Sequence, residues 1–289
     1  MTPQDLAQLR QRAATGDAEA LAFTAMLAAL GAWEPQSWTA ALQRLGSAAR
    51  LGSVSAREQL CVLADIEMSG KESWTDLAAS IDLGAWTAAA AKTRLLPDPR
   101  ISAAPAFLSP RACAWLIERA RGRVAQAKVF DPETGLGRIE NARSNSAFEF
   151  TLADLDVVVV AVRARIAATV GTVTGALEPV QILHYAPGQR FERHYDFLDA
   201  DKPGFAVEVA RIGQRVVTFL VYLNAGFEGG ETEFPIIGLV HKGQAGDALM
   251  FANVDRAGAP DRRTLHAGLP PGPGEKWILS QWIRDRAPA

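Results

Sequence analysis

Gln181-Ile182-Leu183-His184-Tyr185-Ala186-Pro187-Gly188-Gln189-Arg190-Phe191-Glu192-Arg193-His194-Tyr195-Asp196 is the stretch whose reading decides the fold. Pro187-Gly188 punctuates it, and the runs on either side, Val180 to Tyr185 and Phe191 to Phe197, read as strands. Side chains on a strand alternate between faces, so His194 and Asp196 point one way and Tyr195 the other. A His-x-Asp pair arises easily by chance, and its weight depends on its company. His266, in Arg263-Thr264-Leu265-His266-Ala267-Gly268, follows a strand and a long loop and can close a metal site from a neighbouring strand. Two neutral imidazoles and one carboxylate suit Fe(II) and leave positions open for further ligands. A catalytic zinc could use the same set. Lys276, ten residues beyond His266, adds a positive charge suited to an anionic co-substrate and tilts the choice towards iron.

Downstream the texture stays β. Arg215 to Leu223, Thr232 to Phe234, Asp247 to Phe251 and Trp277 to Ile283 read as strands, separated by Gly229-Gly230, Gly243 and Pro270 to Gly274. Period two puts Thr218 on a face with Val216, Leu220 and Tyr222, where its hydroxyl can enter a barrel interior. A lysine aimed inwards beside Tyr185 and Thr218 would fix a dicarboxylate by charge and hydrogen bonds. Upstream, Ser109-Pro110 opens a helix with buried Trp115, Leu116, Ile117 and Ala120. Thr151 caps a second, with Asp154 in its first turn and Leu155, Val159, Val162 and Ile166 on one face. The polar, glycine-rich segment from Val129 to Asn145 reads as loops between short strands. Two helices followed by many short strands give an α+β class: a double-sheet jelly roll with helices packed outside.

Residues 1–98 differ. They are rich in Ala, Leu and Trp and poor in strand-like runs, an all-α region ahead of residues 99–289. Gly16 and Gly52 are 36 residues apart, and Leu27 maps to Leu63 at that offset. The spacing resembles degenerate tetratricopeptide-like helical hairpins, with a plain helical bundle as the alternative. Leu96-Pro97-Asp98-Pro99 breaks the helical pattern and starts a linker expected to run to Pro105. The whole chain has 289 residues, 48% hydrophobic and 21% charged, and a formal net charge of -2. That balance gives no reason to expect nucleic acid or an anionic membrane as partner. Cys61 and Cys113 lie far apart, which fits a reducing compartment, and no signal-peptide pattern opens the chain. A cytoplasmic protein is expected.

The stretch from Gln181 to Asp196 is similar to the metal-binding strand pair of the prolyl 4-hydroxylase group of Fe(II)/2-oxoglutarate-dependent dioxygenases. Tyr222-Leu223-Asn224, Glu228-Gly229-Gly230-Glu231-Thr232-Glu233-Phe234-Pro235, Leu265-His266-Ala267-Gly268 and Gly274-Glu275-Lys276-Trp277 continue the likeness, which runs from about Phe107 to Ile283. The resemblance implies a double-stranded β-helix with His194, Asp196 and His266 on iron. It implies Lys276 against the distal carboxylate of 2-oxoglutarate, Tyr185 and Thr218 hydrogen-bonding nearby, and Trp282, Phe191 and Arg143 at the substrate pocket. Fe(II), 2-oxoglutarate and O2 follow as cofactors, with ascorbate a further candidate. Phe191 stands where many peptide-hydroxylating members have tyrosine, and Leu269-Pro270-Pro271 replaces the usual cysteine-proline-valine. Asp196 is present where halogenating relatives carry a small residue, which favours hydroxylation.

The expected activity is hydroxylation of a C–H bond, of a peptidyl proline or a related residue, with release of succinate and CO2. The alternatives are a hydroxylase of a free amino acid or small metabolite, and a non-catalytic binding or sensing module. A peptide, protein or small molecule is the expected substrate, and the helical region a docking surface for a protein partner. His184 reads as a packed or surface histidine and His241 as a turn residue. Gly135-Leu136-Gly137 and Gly229-Gly230 lack the context of a phosphate loop.

Overall fold

A computed structural model of the chain describes residues 1–131, 133–134 and 136–287; Gly135 of the Gly135-Leu136-Gly137 run lies outside them. It divides into two compact units: Met1–Ala89 with Thr151–Ala168, and Ala90–Phe150 with Thr169–Ala289.

The first unit is helical, and its helices begin where short polar side chains can accept from the free backbone N–H groups of a first turn. Thr2 caps α1 (Pro3–Ala14) in a reciprocal box with Asp5, and Asp17 caps α2 (Ala18–Leu30). Ser37 and Ser53 cap α3 (Trp38–Arg50) and α4 (Val54–Ala64), and the shorter α5 (Trp74–Ser80) and α6 (Leu83–Thr87) follow. Three-residue turns join α1 to α2 and α3 to α4, with Gly16 (φ 89°) and Gly52 (φ 107°) at the same place in each. Ala25, Ala28, Ala41, Ala48 and Ala56 are fully buried, so small side chains let the helix axes approach closely.

The second unit begins with sheet and carries α7 (Pro110–Ala120), capped by Ser109 as its sequence indicates. α8 (Val157–Val170) starts later than expected, because Thr151 and Asp154 close a box around a separate 3-10 turn, Leu152–Asp154. Val157 to Val162, which belong to the first unit with Thr151–Ala168, are buried on every side of α8, which marks an interior helix of that unit. The amide oxygen of buried Gln59 accepts from Val157 N at 3.0 Å, serving a donor that no helical turn can satisfy.

Antiparallel strands make up the second unit. They are β1 (Thr93–Pro97), β2 (Arg100–Ala104), β3 (Ala125–Gln126), β4 (Val129–Phe130), β5 (Gly137–Arg138), β6 (Ser146–Glu149) and β7 (Gln181–Tyr185). After β8 (Phe191–His194) comes α9 (Pro203–Ile212), and then β9 (Arg215–Tyr222), β10 (Thr232–Phe234), β11 (Leu239–His241), β12 (Ala248–Ala252), β13 (His266–Gly268) and β14 (Lys276–Arg284). One sheet has the order β1-β2-β12-β9-β14-β7-β6-β3, a second the order β11-β10-β13-β8, and β4-β5 stand apart. Ile101, Leu183, Tyr222, Leu249 and Ile278 of the first sheet share a core cluster with Phe234 of the second.

β14 lies between β9 and β7 and is buried along its whole length, as a central strand covered on both faces should be. Its alternation sorts side chains by face: Lys276, Ile278, Ser280 and Trp282 all line one cavity.

Three local expectations change. The supposed linker after Leu96 is the β1-β2 hairpin, with Pro97 opposite Arg100. Proline costs no ladder bond on an edge strand, and β1 is an edge. β8 stops at His194 and does not run on to Phe197. His241 closes β11 and does not sit in a turn.

Candidate metal centre

β8 and β13 are neighbours in the four-stranded sheet, and their register sets His194 directly opposite His266. Asp196 lies two residues beyond the end of β8 and is buried. One donor atom from each of the three comes within 4.8 Å of the others. His194 Nε2 is 3.6 Å from Asp196 Oδ1, and His266 Nε2 is 3.4 Å from Asp196 Oδ2.

The rings are held by their other nitrogens. His194 Nδ1 donates to Glu192 O at 2.7 Å, and His266 Nδ1 donates to Thr264 O at 3.0 Å. A carbonyl only accepts, so the proton sits on Nδ1 and each Nε2 presents a lone pair. Phe191 stacks on the His194 ring at 3.5 Å between centroids, and Phe251 packs edge-on against His266 at 4.7 Å. Burial, then the neighbouring His266, pushes the His194 pKa down to about 3, so the ring is neutral near pH 7. Burial acts to raise the Asp196 carboxyl, but the two imidazoles and the Thr218 hydroxyl outweigh it and hold the group ionised. Two imidazole nitrogens and one carboxylate, sharing one space, form a set that fits a divalent metal with open positions.

A cavity adjoins these atoms. Lys276 reaches into it with only 2% of its surface exposed. Its ammonium has no hydrogen-bond or ion-pair partner among the described residues, and sits 4.8 Å from the centre of the Tyr185 ring. Burial lowers the Lys276 pKa to about 7. Tyr185 stands opposite Lys276 in the β7-β14 ladder, and its hydroxyl is likewise unpartnered. The lysine stem passes Gly230, where a Cβ would come within 3.3 Å of Lys276 Cδ and 2.8 Å of the Phe227 ring. Gly230→Ala is therefore expected to cost about 1–3 kcal/mol of stability and to weaken anion binding at Lys276. Denaturant midpoints and ligand titration of the variant check both effects.

Thr218 is on the face that its sequence indicates, but its partner is different. Its hydroxyl donates to Asp196 Oδ2 at 2.6 Å and does not line the cavity. The cause is register: Thr218 pairs with Trp282, six residues along β14 from Lys276, or about 20 Å at ~3.3 Å per residue. The hydroxyl at the lysine end of the cavity belongs to Thr232, paired with Gly268. Its only sequence signal is its place in the Glu231-Thr232-Glu233-Phe234-Pro235 block.

Trp282, Phe191 and Arg143 stand together at the mouth, shared between the cavity and an outer groove that runs past Lys128, Arg193 and Phe205. The Arg215 guanidinium lies 3.7 Å from the centre of the Trp282 ring and is fixed by Glu178 at 2.7 and 2.9 Å. Arg143 is buried, donates to Lys128 O at 2.8 Å, and lies 4.6 Å from the Phe191 ring centre. No acidic side chain pairs with it among the described residues. His184 is turned away from the cavity, bonded to Glu275 at 2.8 Å and packed on Trp277.

The sequence profile of the 2OG-Fe(II) oxygenase superfamily matches residues 180–284. Prolyl 4-hydroxylase 1 of Arabidopsis thaliana is 34% identical over 204 residues, which cover 66% of this chain and 70% of that protein. Probable prolyl 4-hydroxylase 6 of the same plant is 32% identical over 214 residues, 68% of this chain and 72% of its own length. A solved viral collagen prolyl hydroxylase from Paramecium Bursaria Chlorella virus-1, in a 2OG complex, is 29% identical, covers 64% of this chain and 95% of its own, and superposes with a TM-score of 0.49.

Proposed function

The chain belongs to the prolyl 4-hydroxylase-like 2OG-Fe(II) oxygenases, and we propose that its substrate is a peptidyl proline or a closely related residue. In this reading His194, Asp196 and His266 hold Fe(II). The observation that carries it is the pair of Nε2 lone pairs, freed by the Nδ1 bonds to Glu192 O and Thr264 O and converging with an ionised carboxylate.

When bound, iron with 2-oxoglutarate and dioxygen supplies a decarboxylation to succinate and CO2 that places one oxygen atom in a C–H bond. The remaining work belongs to the chain. The Lys276 ammonium pairs with the distal carboxylate of 2-oxoglutarate, and the Tyr185 hydroxyl donates beside it, while the Thr232 proton goes to Tyr222, whose own hydroxyl donates to His241 O. Leu183, Leu220 and Ile278 line the cavity and keep water from the reacting atoms. Trp282 and Phe191 give the substrate two flat apolar walls, and Arg143 a fixed donor. The outer groove continues past these walls, which suits an extended chain better than a single small molecule. One feature favours the second reading, a free amino acid: Arg143 is a buried cation with no acidic partner, suited to a substrate carboxylate.

The two sheets are read here as a double-stranded β-helix, supported by the core cluster that draws on both. The α1-α2 and α3-α4 hairpins are read as tetratricopeptide-like, supported by the matched turns at Gly16 and Gly52, and as a surface for a protein partner. No helix among the described residues is long and apolar enough to cross a membrane. A cytoplasmic location, and ascorbate in support of turnover, are further parts of this proposal.

Protein supplied with Fe(II), 2-oxoglutarate and oxygen is expected to release succinate slowly, and proline-rich peptides to stimulate that release at least about tenfold, a gain of ~1.4 kcal/mol in the transition state. Stimulation by free proline but not by peptides moves the substrate to the second reading. No succinate from metal-loaded protein, with or without peptide, defeats the oxygenase reading.

A further inference from the structure

Behind the three metal-site residues lies a line of buried polar groups that the reaction itself does not touch. Asn253 is fully buried just past the end of β12. Its Nδ2 donates to Thr218 Oγ1 at 2.9 Å, and Thr218 Oγ1 donates to Asp196 Oδ2 at 2.6 Å. The directions are forced. An ionised carboxylate can only accept, so the single hydroxyl proton of Thr218 goes to Asp196, and the hydroxyl oxygen must accept from a donor, the Asn253 amide. Turning that amide over would set its oxygen against Thr218, take the proton from Asp196 and bury the NH2 without an acceptor. The arrangement present leaves one orphan, Asn253 Oδ1.

The backbone of the same residue leads to the second histidine. Asn253 N donates to Val216 O, and Asn253 O accepts from Asp261 N, both at 2.9 Å. Asp261 O accepts from Thr264 Oγ1 at 2.7 Å, and Thr264 O is the acceptor that fixes His266 Nδ1. Two branches, one through a side chain and one through the main chain, thus start at one asparagine and end at Asp196 and His266.

We infer that Asn253, acting through Thr218, is a positioning residue that sets the rotation of the Asp196 carboxylate and ties it to the strand segment that carries His266. The inference rests on the reading of His194, Asp196 and His266 as a metal site. A carboxylate in an apolar pocket otherwise rotates between ligand geometries, and a tether on one oxygen selects one of them. Asn253 touches neither metal nor substrate.

The test reads metal, not turnover. Metal-free protein is titrated with Co(II), and the visible absorption of the bound ion is followed. The unsubstituted protein is expected to show a saturable band that Asp196→Ala abolishes. Thr218→Val is expected to weaken Co(II) binding about 10–100-fold and to shift the band, because Asp196 is free to turn. Thr218→Ser keeps the hydroxyl and restores both. Asn253→Asp keeps the shape and the main-chain bond to Asp261, but its carboxylate competes for the Thr218 proton, so it is expected to behave like Thr218→Val. If Asn253→Asp does not fold, the Thr218→Val and Thr218→Ser pair decides. A Thr218→Val protein, or a folded Asn253→Asp protein, that binds Co(II) as tightly, with the unsubstituted spectrum, overturns the inference. Absence of any Asp196-dependent band in the unsubstituted protein instead removes the metal-site reading on which it rests.

Discussion

Asp196→Ala and His266→Ala are each expected to lower succinate release by about 10³-fold or more, since each removes one of the three proposed ligands of a metal that supplies several kcal/mol. The two should fail by different routes. His266→Ala deletes one imidazole and one buried bond to Thr264 O, and leaves Thr218 and Asp196 paired. The lost bond costs about 1 kcal/mol of stability, so the protein stays folded and binds metal weakly. Asp196→Ala removes the only carboxylate among the three residues. Thr218 then has a buried hydroxyl with no acceptor, a cost of about 1–3 kcal/mol, and metal affinity falls furthest. Asp196→Glu keeps the charge but carries the carboxylate one methylene further, out of register with Thr218, and is expected to recover little. Succinate assays at saturating Fe(II), beside circular dichroism of each variant, separate loss of ligand from loss of fold. A folded Asp196→Ala protein with unchanged succinate release refutes the assignment.

How far the sequence alone carried the site depended on whether a residue's role is set by its own strand or by a neighbour's register. Alternation along β14 is local, and it placed Lys276 and Trp282 on one face correctly because both are read from the same strand. His194, Asp196 and His266 could be picked out by chemistry, although Asp196 lies beyond the end of β8 and alternation was not what brings it to the site. Thr218 was placed on its face but not beside its partner, because the offset between β9 and β14 is fixed by pairing that no single strand records. Thr232 was passed over for the same reason: a threonine in a three-residue strand shows no periodicity of its own. The β1-β2 hairpin was hidden by Pro97 and Pro99, which read as breakers unless the strand is known to be an edge. Asn253 gave no signal at all, since it is one asparagine after an apolar run. The caps of the first unit, by contrast, are local side-chain chemistry. Thr2, Asp17, Ser37 and Ser53 stand where a reading for caps would look for them.

Lys276→Met is expected to raise the KM for 2-oxoglutarate by roughly 150- to 4,000-fold, the ~3–5 kcal/mol lost when one partner of a buried charge pair is removed, while Co(II) affinity changes little. The same substitution is expected to stabilise the ligand-free protein, because a cation with no partner is replaced by an apolar chain of similar length in a buried site. Those opposite signs distinguish a ligand-binding lysine from a structural one, whose loss would lower stability and leave KM alone. Acidity gives an independent reading. Burial brings the Lys276 pKa down to about 7 in the free protein, and only the ammonium form pairs with a carboxylate. Affinity for 2-oxoglutarate should therefore be complete below about pH 7 and weaken about tenfold per unit above it. Stability of the ligand-free protein runs the other way. Between about 7 and the ordinary lysine value of 10.5 the folded chain holds fewer protons than the unfolded one, so stability rises with pH across that window. Lys276→Met and Lys276→Arg should each flatten both profiles, because neither side chain titrates in this window, and Lys276→Arg alone should keep affinity by keeping a charge. A KM for 2-oxoglutarate that ignores both pH and the Lys276→Met change would mean that the co-substrate's distal carboxylate is held somewhere else.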